Sequence, residues 1–222
     1  MDNVRIIEIK KSVLDNNDKA AHELRAKLKA DRTCLMNLMS SPGSGKTMTV
    51  IRTINALQDE LKIGVMEADI DSDVDALKVA QTGVKTIQLH TGGMCHLDAY
   101  MTEQGLIEIG TQDLDLIILE NVGNLVCPAE FDTGASFNVM ILSICEGHDK
   151  PLKYPLMFTI VDALLINKID CAKHFDFDFE QVEAYAKRLN PDIAIFPVSA
   201  KTGQGFDVWV EWLRNKVTDV IR

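Results

Sequence analysis

Long apolar runs are missing from this 222-residue chain, and no stretch approaches the roughly 18 apolar residues of a membrane span. Residues 1–11 lack an apolar core of signal-peptide length followed by a small-residue cleavage site. A cytoplasmic protein without a membrane partner is therefore expected. Clusters of Lys and Arg are missing too, and the net charge is -10. A phosphate backbone would be repelled over most of such a surface, so nucleic-acid binding is not expected. A nucleotide is a different matter, because backbone N–H groups can hold phosphates whatever the net charge. There is no internal repeat and no low-complexity segment. The cysteines, at 34, 95, 127, 145 and 171, are odd in number and widely spaced, which argues against a disulfide framework. Thiols in a reducing compartment matter instead as metal ligands or redox groups.

What is present is ordinary globular composition, 46% hydrophobic and 25% charged, in a length that suits one well-buried domain. Residues 16–31 read as a charged helix with Ala21, Leu24 and Leu28 at helical spacing, packed on the outside of the domain. Residues 1–32 are taken as an N-terminal helical extension and 33–222 as the main domain. From there the pattern alternates. Strands are expected at 33–39, 62–68, 85–89, 114–119, 139–145, 163–166 and 193–198, with helices at 46–61, 72–81, 96–109, 179–189 and 206–220. Near-continuous apolar strands alternating with helices predict an α/β fold: a doubly wound, mostly parallel sheet with helices on both faces. In such sheets ligands sit beyond the carboxyl ends of the strands.

Ser41-Pro42-Gly43-Ser44-Gly45-Lys46-Thr47 follows the first strand and opens the first long helix, which is the context of a P-loop. Gly43 and Gly45 let the backbone curl so that N–H groups, including that of Ser44, point at phosphate oxygens. Lys46 is placed between the β- and γ-phosphates and Thr47 on Mg²⁺. The full pattern has a glycine where this chain has Ser40. Mg²⁺ also needs a carboxylate or its waters. Asp69, at the end of the second strand, is the first choice for metal or water positioning. Asp71, Asp73 and Asp75 alternate as in a calcium loop but lack its glycine and its glutamate; Asp73 and Asp75 are second candidates after Asp69, with acids at a solvated helix N-terminus as the competing reading.

Three further strings resemble GTPase elements. Glu120-Asn121-Val122-Gly123 stands where GTPases usually have Asp-x-x-Gly, which implies Glu120 near Mg²⁺ and the Gly123 N–H at the γ-phosphate. Asn167-Lys168-Ile169-Asp170 follows an apolar strand. The resemblance gives Asp170 the guanine N1–H and exocyclic amine, Lys168 the base plane, and Asn167 a tie to the phosphate loop. Ser199-Ala200-Lys201 follows the next strand, where GTPases support the guanine O6. Adenine has neither donor, so GTP is predicted over ATP.

Cys95-His96 and Cys127 lie in loops expected at neighbouring strand ends. Two thiolates and an imidazole suit Zn²⁺ or Ni²⁺ better than hard cations. Three ligands leave a site open or shared across a two-fold dimer. Spacing alone leaves buried structural cysteines as the alternative. From the phosphate loop to the last helix, however, the chain resembles the hydrogenase nickel-incorporation GTPases (the HypB family). The strings Ser-Ser-Pro-Gly-Ser-Gly-Lys-Thr, Cys-His-Leu-Asp-Ala and Glu-Asn-Val-Gly-Asn-Leu-Val-Cys-Pro carry that resemblance. It implies a nickel or zinc site formed by Cys95, His96 and Cys127 at a dimer interface. The N-terminal Cys-x-x-Cys-Gly-Cys site and the His-rich stretch of some members are not present here. Cys34 and Cys145 read as core residues of apolar strands, Cys171 as packed by the guanine loop, and His90, His148 and His174 as isolated loop histidines. Trp209 and Trp212 read as packing groups of the last helix.

The two sites are four residues apart in sequence, from Gly123 to Cys127. A loop held by the γ-phosphate relaxes on hydrolysis, so metal affinity is expected to follow nucleotide state. The reading is a GTPase with Lys46, Asp69 and Glu120 at its catalytic centre, slow because no arginine finger is evident in cis. It would deliver Ni²⁺ to a hydrogenase maturation partner and dimerise with GTP or metal. The alternatives are a urease-type nickel GTPase, whose metal motif is Cys-Pro-His, a metal-storage protein with a vestigial P-loop, and a related ATPase.

Overall fold

The computed structural model describes residues 9–69 and 73–222. The seven strands of the described residues are β1 (Cys34–Ser40), β2 (Ile63–Asp69), β3 (Lys85–His90), β4 (Leu116–Glu120), β5 (Phe137–Ser143), β6 (Ala163–Asn167) and β7 (Ala194–Pro197). All pair in parallel, in the order β3-β2-β4-β1-β5-β6-β7. β1 lies between β4 and β5, so successive connections run to opposite sides of it. That divergence opens a crevice at its carboxyl end. The phosphate loop leaves β1 at this point. The nine helices of the described residues are α1 (Ile9–Ala30), α2 (Lys46–Leu57), α3 (Val74–Ala80), α4 (Ala99–Ile109), α5 (Cys127–Glu130), α6 (Lys150–Lys153), α7 (Pro155–Ile160), α8 (Phe179–Leu189) and α9 (Phe206–Ile221).

The period-2 alternation of the strands divides the core. Met36 and Leu38 of β1, Val65 of β2, Leu116 and Ile118 of β4 and Val139 and Ile141 of β5 face α2 and α9, where Val50, Ile54, Trp209 and Leu213 meet them. Trp209 is fully buried and donates its indole N–H to Thr53 Oγ1 at 3.1 Å. On the other face Leu35, Met66, Ile117 and Leu119 pack with Leu24 and Leu28 of α1 and Leu106 of α4. Met39, Met140 and Leu164 pack with Phe158 of α7 and Val182 of α8. Each such fully buried side chain stabilises the fold by about 1.5–3 kcal/mol.

Where those last two clusters meet, β1 carries Asn37, buried between Leu35 and Met39. Its amide donates to Asn138 Oδ1 at 3.0 Å and accepts from Asn121 Nδ2 at 3.0 Å. This asparagine row runs from β5 across β1 to the segment after β4 and ends at the Val122 N–H, which donates to Asn121 Oδ1 at 2.9 Å. It ties the segment after β4 to the middle of the sheet.

Two expectations need correction. Cys145 is not in a strand or the core. β5 ends at Ser143, whose hydroxyl accepts from Cys145 N while its own N–H donates to Glu146 Oε1, and this capped turn puts Cys145 at the surface. Cys34 is buried, and burial pushes its thiol up to about 12. The ends of β3 and β4 are also not neighbours, because β2 runs between them.

Candidate nucleotide and metal site

β1 ends at Ser40, and α2 begins at Lys46 without a side-chain cap, which leaves its first-turn N–H groups to a ligand. Gly45 precedes it at φ 101, and a Cβ there would lie 2.5 Å from Asn167 Nδ2. Glycine is required on both counts. Ser40 has no positive φ, so the glycine of the full pattern is not needed here. Its buried hydroxyl accepts from Ser44 Oγ at 2.6 Å and from the Lys46 ammonium at 3.2 Å, and donates to Ser41 O at 2.7 Å. The departure from the pattern thus holds the loop and its lysine.

Thr47 Oγ1 donates to Glu120 Oε1 at 3.1 Å. A hydroxyl and a carboxylate placed together in this way are the groups that hold Mg²⁺ in P-loop sites. Glu120 is buried and its Oε2 has no partner, an orphaned acceptor that a cation or its waters would satisfy. Burial pushes its carboxyl up to about 7, against the pull of Lys46 and Thr47. Glu67, its register partner on β2, is pushed up to about 7 by burial first and by Glu120 second. Asp69 is half-buried one pleat further along the same face and acts on both glutamates. Asp75 pairs with Lys78 at 2.7 Å in the first turn of α3. Asp73 is the N-cap of that helix without a side-chain cap bond, and Asp71 lies outside the described residues.

The loops expected to read the base are tied to the phosphate loop atom by atom. Asn167 donates to Ser44 O at 2.9 Å and accepts from Ala200 N at 3.0 Å. Lys168, at φ 68, donates to Gly43 O at 2.7 Å, so its stem spans the space between the two loops. Ser199 Oγ donates to Asp170 Oδ1 at 2.7 Å, which orients the carboxylate and holds its pKa below the usual range. Cys171 Sγ also donates to Asp170, at 3.5 Å. Lys201 O and Ala200 O accept from Arg52 of α2 at 3.0 and 2.7 Å. Arg52 was not legible as a loop anchor, because nothing local in α2 marks it.

Gly123 sits against the phosphate loop. A Cβ on it would meet Pro42 Cγ and N at 3.1 Å and Cα at 3.2 Å. From there the chain runs to Cys127, the first residue of α5. Cys95 Sγ donates to Cys127 Sγ at 2.9 Å, and Cys95 Sγ lies 3.9 Å from His96 Nδ1. The three ligand atoms fall within 4.8 Å of one another, half-buried, in the only such His/Cys/Asp/Glu cluster among the described residues. The thiol contact, then burial, raises the Cys127 pKa; burial lowers that of His96 against the opposing pull of Asp98 and Glu130. A neutral imidazole is the form that binds metal. His96 is held by stacking on Phe131, with ring centroids 3.9 Å apart.

The loops are clamped from α1, a role the sequence did not reveal. Asn17 accepts from Ala99 N at 2.9 Å, just beyond Cys95-His96, and donates to Asp132 O at 2.9 Å, just beyond Cys127. Arg25 pairs with both oxygens of Asp132 at 2.7 and 2.8 Å and reaches Ala135 O at 2.8 Å. The available signal was a polar residue on the apolar stripe 17, 21, 24, 28. Glu67 has a similar signal, an acid at a core-facing place of an otherwise apolar strand.

Residues 34–197 match the CobW/HypB/UreG nucleotide-binding domain family. Hydrogenase maturation factor HypB of Azotobacter vinelandii is 46% identical over 212 residues, 96% of this chain and 70% of that protein. The crystal structure of HypB from Archaeoglobus fulgidus superposes with a TM-score of 0.85 at 38% identity, covering 91% of this chain and 99% of the other. That of Helicobacter pylori HypB in complex with nickel gives 0.85 at 36%, covering 93% and 97%. With a P-loop sheet, a guanine-type Asn-Lys-x-Asp loop and a Cys/His/Cys cluster in one crevice edge, the chain belongs to the HypB family of hydrogenase maturation factors.

Proposed function

We propose that this protein is a GTP-hydrolysing metallochaperone that binds nickel or zinc and assists nickel insertion during [NiFe] hydrogenase maturation. One observation carries the reading: Gly123 packs on Pro42 of the phosphate loop, and the chain reaches a Cys95/His96/Cys127 cluster four residues later. The nucleotide would lie on the loop 43–47, with Lys46 against its terminal phosphates and Asp170, Lys168 and the 199–201 loop around guanine. Thr47, Glu120 and Asp69 would hold Mg²⁺, which when bound supplies charge for the γ-phosphate. Hydrolysis to GDP and phosphate removes the group that Gly123 would sense. The segment leading to Cys127 is then free to shift against Pro42, and the thiolate geometry of the metal site changes with it.

Residues 33–222 act in this reading as the GTPase domain, with 1–32 its helical extension. Three ligands leave a coordination place for a second copy of the chain, so a homodimer formed with GTP or metal is part of the proposal. So are a cytoplasmic setting and a hydrogenase maturation protein as recipient. Among the described residues no helix is long and apolar enough to cross a membrane.

The test has two arms. GTP turnover is expected in the wild type and lost in Lys46→Ala; equal turnover in both would leave a metal-binding protein with an idle loop. Nickel affinity is expected to differ at least severalfold between the GDP complex and a non-hydrolysable GTP analogue. Equal affinities would sink the coupling.

A further inference from the structure

Six buried side-chain atoms lack a hydrogen-bond partner among the described residues, and four of them lie in one row. They are Glu120 Oε2, Glu67 Oε2 and both amide atoms of Gln88. Glu120 pairs in register with Glu67, and Glu67 with Gln88, so the row runs straight across β4, β2 and β3. Only 2% of Glu120 and 4% of Glu67 is exposed. The row begins at the Thr47 hydroxyl, 3.1 Å from Glu120 Oε1. Gln88 is near enough to pull the Glu67 carboxyl pKa down, yet neither of its amide atoms meets full hydrogen-bond geometry with a partner, so it does not close the row by itself.

Buried polar atoms of a native fold are nearly always partnered, and two adjacent buried carboxylates are costly unless a cation or polar molecules sit between them. An apolar ligand would leave the four atoms unsatisfied and an anion would be repelled by the carboxylates. A cation that keeps its waters fits both charge and orphaned acceptors. Mg²⁺ dehydrates reluctantly and usually binds through one or two carboxylates plus several waters. Those waters need acceptors of their own, and outer acceptors of this kind tune affinity by 10–100-fold.

We infer that Glu67 is a positioning residue of the Mg²⁺ site, its free carboxylate oxygen accepting from waters of an ion held at Thr47 and Glu120, with Gln88 closing the row. This rests on the nucleotide-site reading above. Asp69, one pleat further along β2, then guards the mouth of the site while Glu67 forms its wall.

The full chain is loaded with a fluorescent GDP, and its release is followed across a Mg²⁺ titration. The expected result for Glu67→Gln is a roughly tenfold higher Mg²⁺ concentration for half-maximal retention, with release in EDTA unchanged. Mn²⁺ bound to the same complex is expected to give an altered EPR spectrum. A merely structural glutamate gives another pattern: removing its charge beside Glu120 raises the thermal stability of the metal-free protein and leaves the Mg²⁺ titration within twofold of wild type. That pattern overturns the inference, as does an equal change with and without Mg²⁺. Should Glu67→Gln not fold, Glu67→Asp keeps the charge but withdraws it by one methylene. A shift of severalfold is then expected, and none would overturn the inference. If the wild type itself releases GDP without regard to Mg²⁺, it is the nucleotide-site reading that fails.

Discussion

The crevice has two halves that differ in how complete they are. On the guanine side the key polar groups already have partners: Asn167 bonds Ser44 and Ala200, Ser199 holds Asp170, and Lys168 reaches Gly43. On the phosphate and metal side Glu67, Gln88 and Glu120 leave atoms unpaired, and two thiols stand against each other at 2.9 Å. The half proposed to read guanine is preorganised by these bonds, so base binding there would cost little rearrangement. The other half is completed only by what it binds. Such a division suits the proposed switch: the base half would keep the nucleotide in place while the phosphate half changed with nucleotide state.

The sharpest way to break that contrast is to remove preorganisation from the guanine half. Asn167 is 1% exposed and joins three segments: the phosphate loop, the end of β6 and the loop after β7. Asn167→Ala leaves a buried carbonyl and a buried N–H unpaired, at about 1–3 kcal/mol each. The expected outcome is a lowering of stability by about 2–6 kcal/mol in urea titration, with GTP and GDP affinity falling about 100-fold or more by fluorescence, a loss of at least about 2.7 kcal/mol. Unchanged affinity would mean that the guanine half does not depend on this tie. Metal affinity measured without nucleotide should stay near wild type, because none of these bonds touches Cys95, His96 or Cys127.

A smaller effect probes the metal half from outside. Asn17 bonds the backbone on both sides of the Cys/His/Cys cluster but touches none of its ligands. Asn17→Ala is expected to weaken nickel or zinc binding about tenfold, as loss of an outer positioning group does. Nucleotide affinity should hold within about twofold, below the ~1.4 kcal/mol of a tenfold change. Competition with a chromogenic chelator measures the first and fluorescent GDP the second. Equal losses in both would make α1 a general stabiliser rather than a clamp on the metal loops.

This contrast also separates what could be read from the sequence from what could not. The phosphate and guanine loops are contiguous strings at strand ends, so each tells its own chemistry. The Cys95/His96 and Cys127 strings were legible through resemblance, while their meeting across β2 depends on loop paths that no local pattern records. Glu67 matters only because register places it beside Glu120, and Gln88 because register places it beside Glu67; register is a non-local property. The helix expected from 96 starts at Ala99 because Asp98 caps it, accepting from Met101 N at 2.8 Å. α5, α6 and α7 were missed because they run four to six residues, too few for a helical period to show. Each has a proline in its first turn, Pro128, Pro151 and Pro155, where its missing N–H is not needed. Cys145 was misplaced because a capped turn ended its strand early.

The smallest expected effect concerns the one residue that departs from the phosphate-loop pattern. If Ser40 were a defect in the loop, restoring glycine would tighten nucleotide binding. The geometry predicts the opposite. Ser40 needs no glycine conformation, is fully buried, and holds both Ser44 Oγ and the Lys46 ammonium. Ser40→Gly removes an acceptor from a charged donor and frees the backbone at the end of a central strand. Stability is expected to fall by about 1–2 kcal/mol, read from the urea midpoint. Affinity for GDP should stay the same or fall up to about threefold, under 1 kcal/mol, because Lys46 regains its place once phosphate replaces the lost hydroxyl. A gain in either stability or affinity would show that the serine holds nothing. The part of the phosphate half made ready before the nucleotide arrives would then be the Thr47–Glu120 pair rather than the serine.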